Sequence, residues 1–194
     1  MGMEFQIAEG QTTAPLVSKE EARQRLGVTW ANSALDAEIV GLATSAEKKF
    51  EIDTGRMIAQ REVVATCCRP YGPYLEIPVS PVQIVTAVSY KDSAGETQEW
   101  PTDSWLVDYR FALPRLRPKP GMGWPDVMCC TPDAFSIELV AGYEDDEPEY
   151  ELSRTAVLML VQHWFDNNIV STLHVNTVPM AYETIVWNLK LPML

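Results

Sequence analysis

The stretch AGYEDDEPEYELSRTAVLMLVQHWFDNN, residues 141–168, decides the architecture, because a chain that has been reading as β-strands here turns back into helix. Pro148 suits a first helical turn, where its missing N–H would have had no partner, and a helix is predicted over about residues 149–167. The loop before it and its first turn carry Glu144, Asp145, Asp146, Glu147, Glu149 and Glu151. Negative charge at that end meets the positive pole of the helix dipole, a gain of about 0.3–1 kcal/mol per well-placed group. That accounts for Glu149 and Glu151 and leaves four consecutive acids without a local reason. Ala156 to Val161 are all apolar, and Trp164 and Phe165 follow, so no clean polar face remains. A helix apolar all round has to be covered all round. Either the β region supplies the second cover or a neighbouring subunit does, and Leu158, Val161, Trp164 and Phe165 are the residues expected at such a subunit interface.

Upstream of this stretch the chain is β-like. From residue 57 onward Pro and Gly punctuate runs rich in Val, Ile, Tyr and Thr, the pattern of short strands. Strands are predicted over 60–68, 74–78, 82–90, 96–100, 105–109, 114–117 and 135–141, with Asp92-Ser93-Ala94-Gly95 as a hairpin turn. The prolines at 78, 81, 114 and 118 argue for short or edge strands rather than a long central sheet. Further upstream the period is helical. Ser18-Lys19-Glu20-Glu21 has the form of a capping box and Gly27 follows the last turn, which predicts a helix over about 18–26. A second begins near Ser33, places Leu35, Ile39, Leu42, Ala46 and Phe50 on one stripe, and stops at Gly55. A fourth helical segment, 179–190, puts Tyr182, Ile185, Val186 and Leu189 on one stripe. The fold class is therefore α+β, a helical bundle with an inserted antiparallel β domain. Residues 1–15 read as a loose leader, 16–56 and 144–194 as the bundle, and 57–143 as the insert.

Charge narrows the function. With 15 basic against 27 acidic residues, a formal charge of −12, the field of the chain repels polyanions, and specific nucleic-acid binding is not expected. No basic start leads into an apolar signal segment and no run approaches the roughly 18 apolar residues that span a bilayer, so a soluble chain without membrane contact is expected. Cys67-Cys68 and Cys129-Cys130 are adjacent pairs, whereas tetrahedral sites usually space their paired ligands by about two to four residues. Reduced thiols of a cytosolic protein are the reading, with no metal and no cofactor. The acidic run lacks the alternating ligands and turn glycine of a calcium loop.

Catalytic patterns are missing as well. There is no G-x-S-x-G, H-E-x-x-H or phosphate loop, and Gly121-Met122-Gly123-Trp124-Pro125-Asp126 breaks the dinucleotide fingerprint before its third glycine. His163 is expected as a hydrogen-bonded core or interface residue, and His174 as a solvated loop residue. Carboxylates are numerous enough that a pair could fall at glycosidase separation by chance, yet no placed nucleophile or base accompanies them, and the chain is read as a non-enzyme with no catalytic residues.

One basic cluster stands against the acidic background. Arg110, Arg115, Arg117 and Lys119 lie within ten residues with no acid among them. Such a cluster either decorates an exposed hairpin or meets the acidic loop Glu144, Asp145, Asp146 and Glu147 of a neighbouring copy, complementary charge fixing the orientation.

Six phrases in order, Thr54-Gly55-Arg56, Ile77-Pro78-Val79-Ser80-Pro81-Val82, Val88-Ser89-Tyr90-Lys91-Asp92, Gly123-Trp124-Pro125, Ile137-Glu138-Leu139-Val140-Ala141-Gly142-Tyr143 and Gln162-His163-Trp164-Phe165-Asp166-Asn167, resemble tailed-phage head–tail connector proteins, also called adaptor or head-completion proteins. The resemblance covers about residues 16–190. It implies a structural ring of roughly twelve copies, heterologous contacts closing by rotation, that docks under the portal protein of a bacteriophage capsid. The ring extends the DNA channel toward head-closure or tail proteins, and DNA passes through it without specific binding. The virion head–tail interface is the implied location, after synthesis in the bacterial host cytoplasm. In such a ring the acidic loop would face either the lumen, where negative groups let a polyanion slide, or the basic edge of the adjacent copy. Tyr182, Ile185, Trp187 and Leu189 would either anchor on the portal as a helix in a groove or close the subunit's own core. A head-closure or tail-terminator ring, and a phage-encoded hydrolase, are the alternatives.

Overall fold

The computed structural model describes residues 5–12, 15–29, 33–128, 131–167 and 178–191. Among them are four helices and eight strands, in the order β1 (Phe5–Thr12), α1 (Lys19–Arg25), α2 (Ser33–Thr54), β2 (Arg61–Cys67), β3 (Leu75–Glu76), β4 (Val82–Lys91), β5 (Thr97–Glu99), β6 (Trp105–Asp108), β7 (Arg115–Pro118), β8 (Phe135–Ala141), α3 (Pro148–Asp166) and α4 (Met180–Leu189). The chain is α+β, with its β region inserted between helices. One compact unit consists of β1 with Ala59–Gly142, the other of Ala14–Ile58 with Tyr143–Leu194.

The helix ends follow local chemistry. Ser18 caps α1 reciprocally: the Glu21 N–H donates to Ser18 Oγ at 3.2 Å, and the Ser18 N–H donates to the Glu21 carboxylate at 3.3 Å. Pro148 opens α3, and Gly55, at φ +72°, ends α2 in the left-handed conformation that glycine adopts at least cost. Ile39, Ala46, Phe50, Val157, Leu160 and Tyr182 form the centre of the helical core, and α3 packs against α1, α2 and α4.

All strand pairs of the β unit are antiparallel. A five-stranded sheet has the order β1-β2-β8-β4-β5 and a three-stranded sheet the order β3-β7-β6. On β2 and β8 alternation is strict, and the buried residues face one another in register: Val63 with Leu139, Ala65 with Ile137, Cys67 with Phe135. On β4 the buried residues are Val82, Val85 and Val88, a spacing of three that no regular strand produces. Two register shifts, between Val82 and Ile84 and between Val85 and Ala87, reconcile it. Each inserts one unpaired residue, so that every third side chain returns to the buried face. The unit also holds an aromatic cluster: Trp100 and Trp124 have ring centroids 5.3 Å apart, and Phe135 stands edge-on to both at 6.1 and 5.9 Å.

Two expectations need correction. The leader expected to be loose forms β1 over Phe5–Thr12, paired antiparallel with β2 from Phe5 opposite Cys67 to Thr12 opposite Arg61. Its hydrogen bonds are made to a strand some fifty residues away, so its own sequence carried little of the signal. The prolines keep β3 and β7 short, as reasoned, but they did not prevent a larger sheet: Pro81 lies just before β4, which then runs for 10 residues.

Candidate protein-interaction site

The residues singled out from sequence fall into four places. On α3 the stripe Ser153, Ala156, Val157, Leu160 and Val161 is buried, while Leu158, Trp164 and Phe165 are partly buried against the same core and Leu152 on the outer side is 45 % exposed. Val161 was expected to meet a neighbour and has no exposed surface, because it follows Val157 by one turn and points with it into its own bundle. The apolar circumference is therefore covered at Val161 by its own chain, while Leu158, Trp164 and Phe165 are only partly covered.

On α4 the four proposed anchors separate. Tyr182 and Leu189 are buried and Ile185 partly so, all against the helical core. Tyr182 stacks edge-on against Phe50 at 5.8 Å, and its hydroxyl donates to Asp53 at 2.7 Å. Burial raises the Tyr182 phenol pKa, with the hydrogen bond and charge of Asp53 adding to it. Lys49 pairs with the same carboxylate. The end of α4 is also tied down, since Arg56 donates to the Leu189 carbonyl and the Leu191 N–H to the Thr54 carbonyl at 2.8 Å. Tyr182 and Leu189 thus close their own core and are not available as anchors. Trp187 lies on the opposite face, 79 % exposed, with Met180 two turns earlier at 83 %.

The basic cluster sits on the small sheet and is not a free hairpin edge. Arg110 grips Asp108 with two hydrogen bonds, of 2.8 and 2.6 Å, and those bonds, with the charges of Arg110 and Arg117, hold the Asp108 carboxyl well below the usual carboxylate range. Arg117 reaches the same carboxylate at 4.0 Å. Arg115 pairs with Glu76 at 2.8 Å, and its guanidinium lies over the rings of Phe111 and Tyr74, 3.8 and 4.3 Å from their centroids. The sequence showed four cations within ten residues and hid their acids, because Glu76 is remote in sequence and Asp108 lies just outside the window. It also hid the aromatic partners, whose role needs the β3–β7 pairing.

The acidic loop leads into α3. Glu144, Asp145 and Asp146 are exposed and Glu147, the N-cap residue, half-buried. The loop has internal order: the Glu147 carboxylate accepts from the Glu144 N–H at 2.9 Å. Tyr150 hydrogen-bonds Asp145, and burial followed by that charge raises the Tyr150 pKa. Among the described residues neither Glu144 nor Asp146 has an ion-pair partner.

Among the described residues no three His, Cys, Asp or Glu side chains gather as a metal ion would require, and no helix is long and apolar enough to cross a membrane. Cys67 is buried and Cys68 exposed; burial, and then the neighbouring Cys68, push the Cys67 thiol up to about 12, which keeps it protonated and unreactive. Cys129, Cys130 and His174 lie outside the described residues. His163 is half-buried near the end of α3, its Nδ1 3.1 Å from the Asn167 amide nitrogen. On the outer face of the larger sheet two open depressions of about 220 and 240 Å³ are lined by Thr66, Ser89, Lys91 and Ser136, and by Glu62, Val64, Glu138 and Val140; in the first, Lys91 is paired with Asp133 at 2.6 Å.

No protein-family model matches the sequence, and no curated protein does either. Among solved structures, a chain in the virion of a native gene transfer agent particle matches with a TM-score of 0.76 and 21% identity, over 97% of this chain and 96% of that one. A chain in the neck of the empty particle, computed with C6 symmetry, matches with 0.76 and 20%, over 97% of both. One in the neck of the native particle, computed with C12 symmetry, matches with 0.73 and 19%, over all of this chain and 97% of that one. Along its whole length, then, this chain has the fold of chains found in the necks of gene transfer agent particles.

Proposed function

We propose that this chain is a structural connector at the head–tail neck of a phage-like particle, a ring subunit that docks under the portal protein and extends the DNA channel toward the tail. The observation that carries the reading is the shared fold over 97% of both chains with a neck chain solved under rotational symmetry. Single-domain likeness could be accidental; agreement across both the helical and the β unit is a stronger constraint. The exposure pattern supports it. Leu158, Trp164 and Phe165 are only partly covered by their own chain, and a heterologous contact that closes by rotation supplies a second cover without a second fold. The charge of −12 suits a conduit that must release DNA rather than hold it. In this role the chain catalyses nothing, and Trp187 with Met180 on the outer face of α4 is its portal-facing contact.

Mixing the purified full-length chain with its portal protein and examining the product by electron microscopy tests the reading. Ring-shaped complexes with one chain per portal subunit, or a simple multiple, are the expected outcome. A chain that remains monomeric beside intact portals at tens of micromolar would sink it.

A further inference from the structure

The small sheet carries a rigid arginine–aromatic surface that ring formation in general does not require. Arg115 is held by Glu76, Phe111 and Tyr74, so the turn between β6 and β7 is pre-organised rather than loose. Phe111 and Tyr74 remain 43 % and 39 % exposed. Beside them the Arg110 side chain is 78 % exposed and that of Arg117 46 %, around the nearly buried Asp108. Three arginines (Arg110, Arg115, Arg117) against two carboxylates (Asp108, Glu76) leave this surface one positive charge in surplus on a chain of charge −12. Arginine and aromatic rings are the residue types that dominate interface energetics, and held in place they cost little further entropy on binding.

We infer that this surface receives the acidic loop Glu144–Asp146 of an adjacent copy of the same chain. The inference rests on the ring reading above and names the contact that sets the register between subunits. Charge complementarity selects the occupant. The loop is exposed, and Glu144 and Asp146 have no ion-pair partner among the described residues. A heterologous ring needs two different patches on one chain that fit each other, and these two are opposite in sign. The contact gives orientation and encounter rate more than bulk affinity, and it weakens as salt rises. Single-stranded DNA is the competing occupant, since it too favours stacked rings and arginines; the partial neutralisation by Asp108 and Glu76 and the overall charge argue against it.

The test follows self-assembly of the full-length chain by analytical ultracentrifugation and electron microscopy. Glu144→Lys with Asp146→Lys leaves the arginine surface intact and should raise the concentration for half-assembly by about tenfold or more. Arg110→Glu with Arg117→Glu should do the same, circular dichroism confirming that the fold is kept. All four substitutions in one chain should bring assembly back. Wild-type-like assembly of either pair, or no recovery in the fourfold variant, overturns the contact while leaving the ring intact. A wild-type chain that forms no ring, alone or on portal, overturns the ring reading and this contact with it. Binding of a fluorescent single-stranded oligonucleotide that is lost in Arg110→Glu with Arg117→Glu assigns the surface to DNA and overturns the proposal.

Discussion

In the helical unit, residues far apart in sequence are joined by single side chains: Tyr182 reaches Asp53, Arg154 reaches Glu21, and Arg23 reaches Asp36. In the β unit the long reach is made by backbone, seven register pairs between β2 and β8 and seven between β4 and β8, with the aromatic cluster in the same unit. A ladder distributes its hydrogen bonds over many residues, so no one polar side chain on it is decisive. A bundle held across its seams by a handful of polar contacts concentrates the sensitivity at those seams. The β unit should accordingly be most vulnerable in its core and its backbone turns, and the helical unit both in its core and at its ties.

The largest effects test the two cores against each other. Phe135→Ala removes a fully buried ring from the aromatic cluster and should cost about 3–5 kcal/mol, and Leu160→Ala in the helical core about 2–5 kcal/mol. Urea unfolding followed by hydrogen–deuterium exchange read on peptides of each unit checks them. Each substitution should displace the transition of its own unit, and coincident shifts in the peptides of both would break the comparison by showing one cooperative body.

Gly142→Ala comes next. At φ +113° an added Cβ would stand 2.6 Å from the Ala59 carbonyl oxygen and the Gln60 Cα, backbone atoms that cannot give way, and a loss of about 1–3 kcal/mol is expected in the same assay. Tyr182→Phe sharpens the claim about ties: losing the bond to Asp53 should cost about 1–2 kcal/mol, with Asp53 still held by Lys49. A thermal midpoint unchanged from wild type would show that the Tyr182 hydroxyl adds nothing to the hold on α4.

A smaller effect belongs to Asp108. Its carboxyl titrates lower folded than unfolded, so its contribution is fully present above the ordinary value of 3.8 and is lost as pH falls below it. Removing the arginine in Arg110→Ala should flatten that part of the acid-unfolding profile, measured from pH 5 to pH 2. Smallest of all is Trp187→Ser. With 79 % of its surface exposed it should change stability by no more than about 0.5 kcal/mol, while portal binding, measured by co-sedimentation, falls.

Local signals were legible in the sequence and long-range ones were not. The helix bounds could be read because their causes are a few residues long: the Ser18–Glu21 box, Pro148, and the glycine after α2. The strands of the insert were legible from punctuation and β-branched content. β1 was not, since an edge strand gains its order from the partner's backbone. The bulges of β4 were visible only as a broken alternation in VQIVTAV. At the candidate surfaces the residue types were right and their environments were not all legible: Val161, expected at an interface, points into its own bundle, and of the two readings open for α4 Tyr182 and Leu189 take the one that closes the subunit's own core.

What the sequence alone determined is the order of elements from α1 onward, the α+β class, the acidic balance and the absence of familiar catalytic and phosphate-binding motifs, all consequences of composition and of spacings shorter than two helical turns. Only the tertiary structure decided which side of α3 and α4 faces inward, which carboxylates occupy the arginines of the small sheet, and that the N-terminal segment completes a sheet. Apart from Asp108, close in sequence to Arg110, those outcomes depend on partners well removed along the chain, such as Glu76 for Arg115 and Asp53 for Tyr182, and no local pattern encodes which of many distant groups will be met.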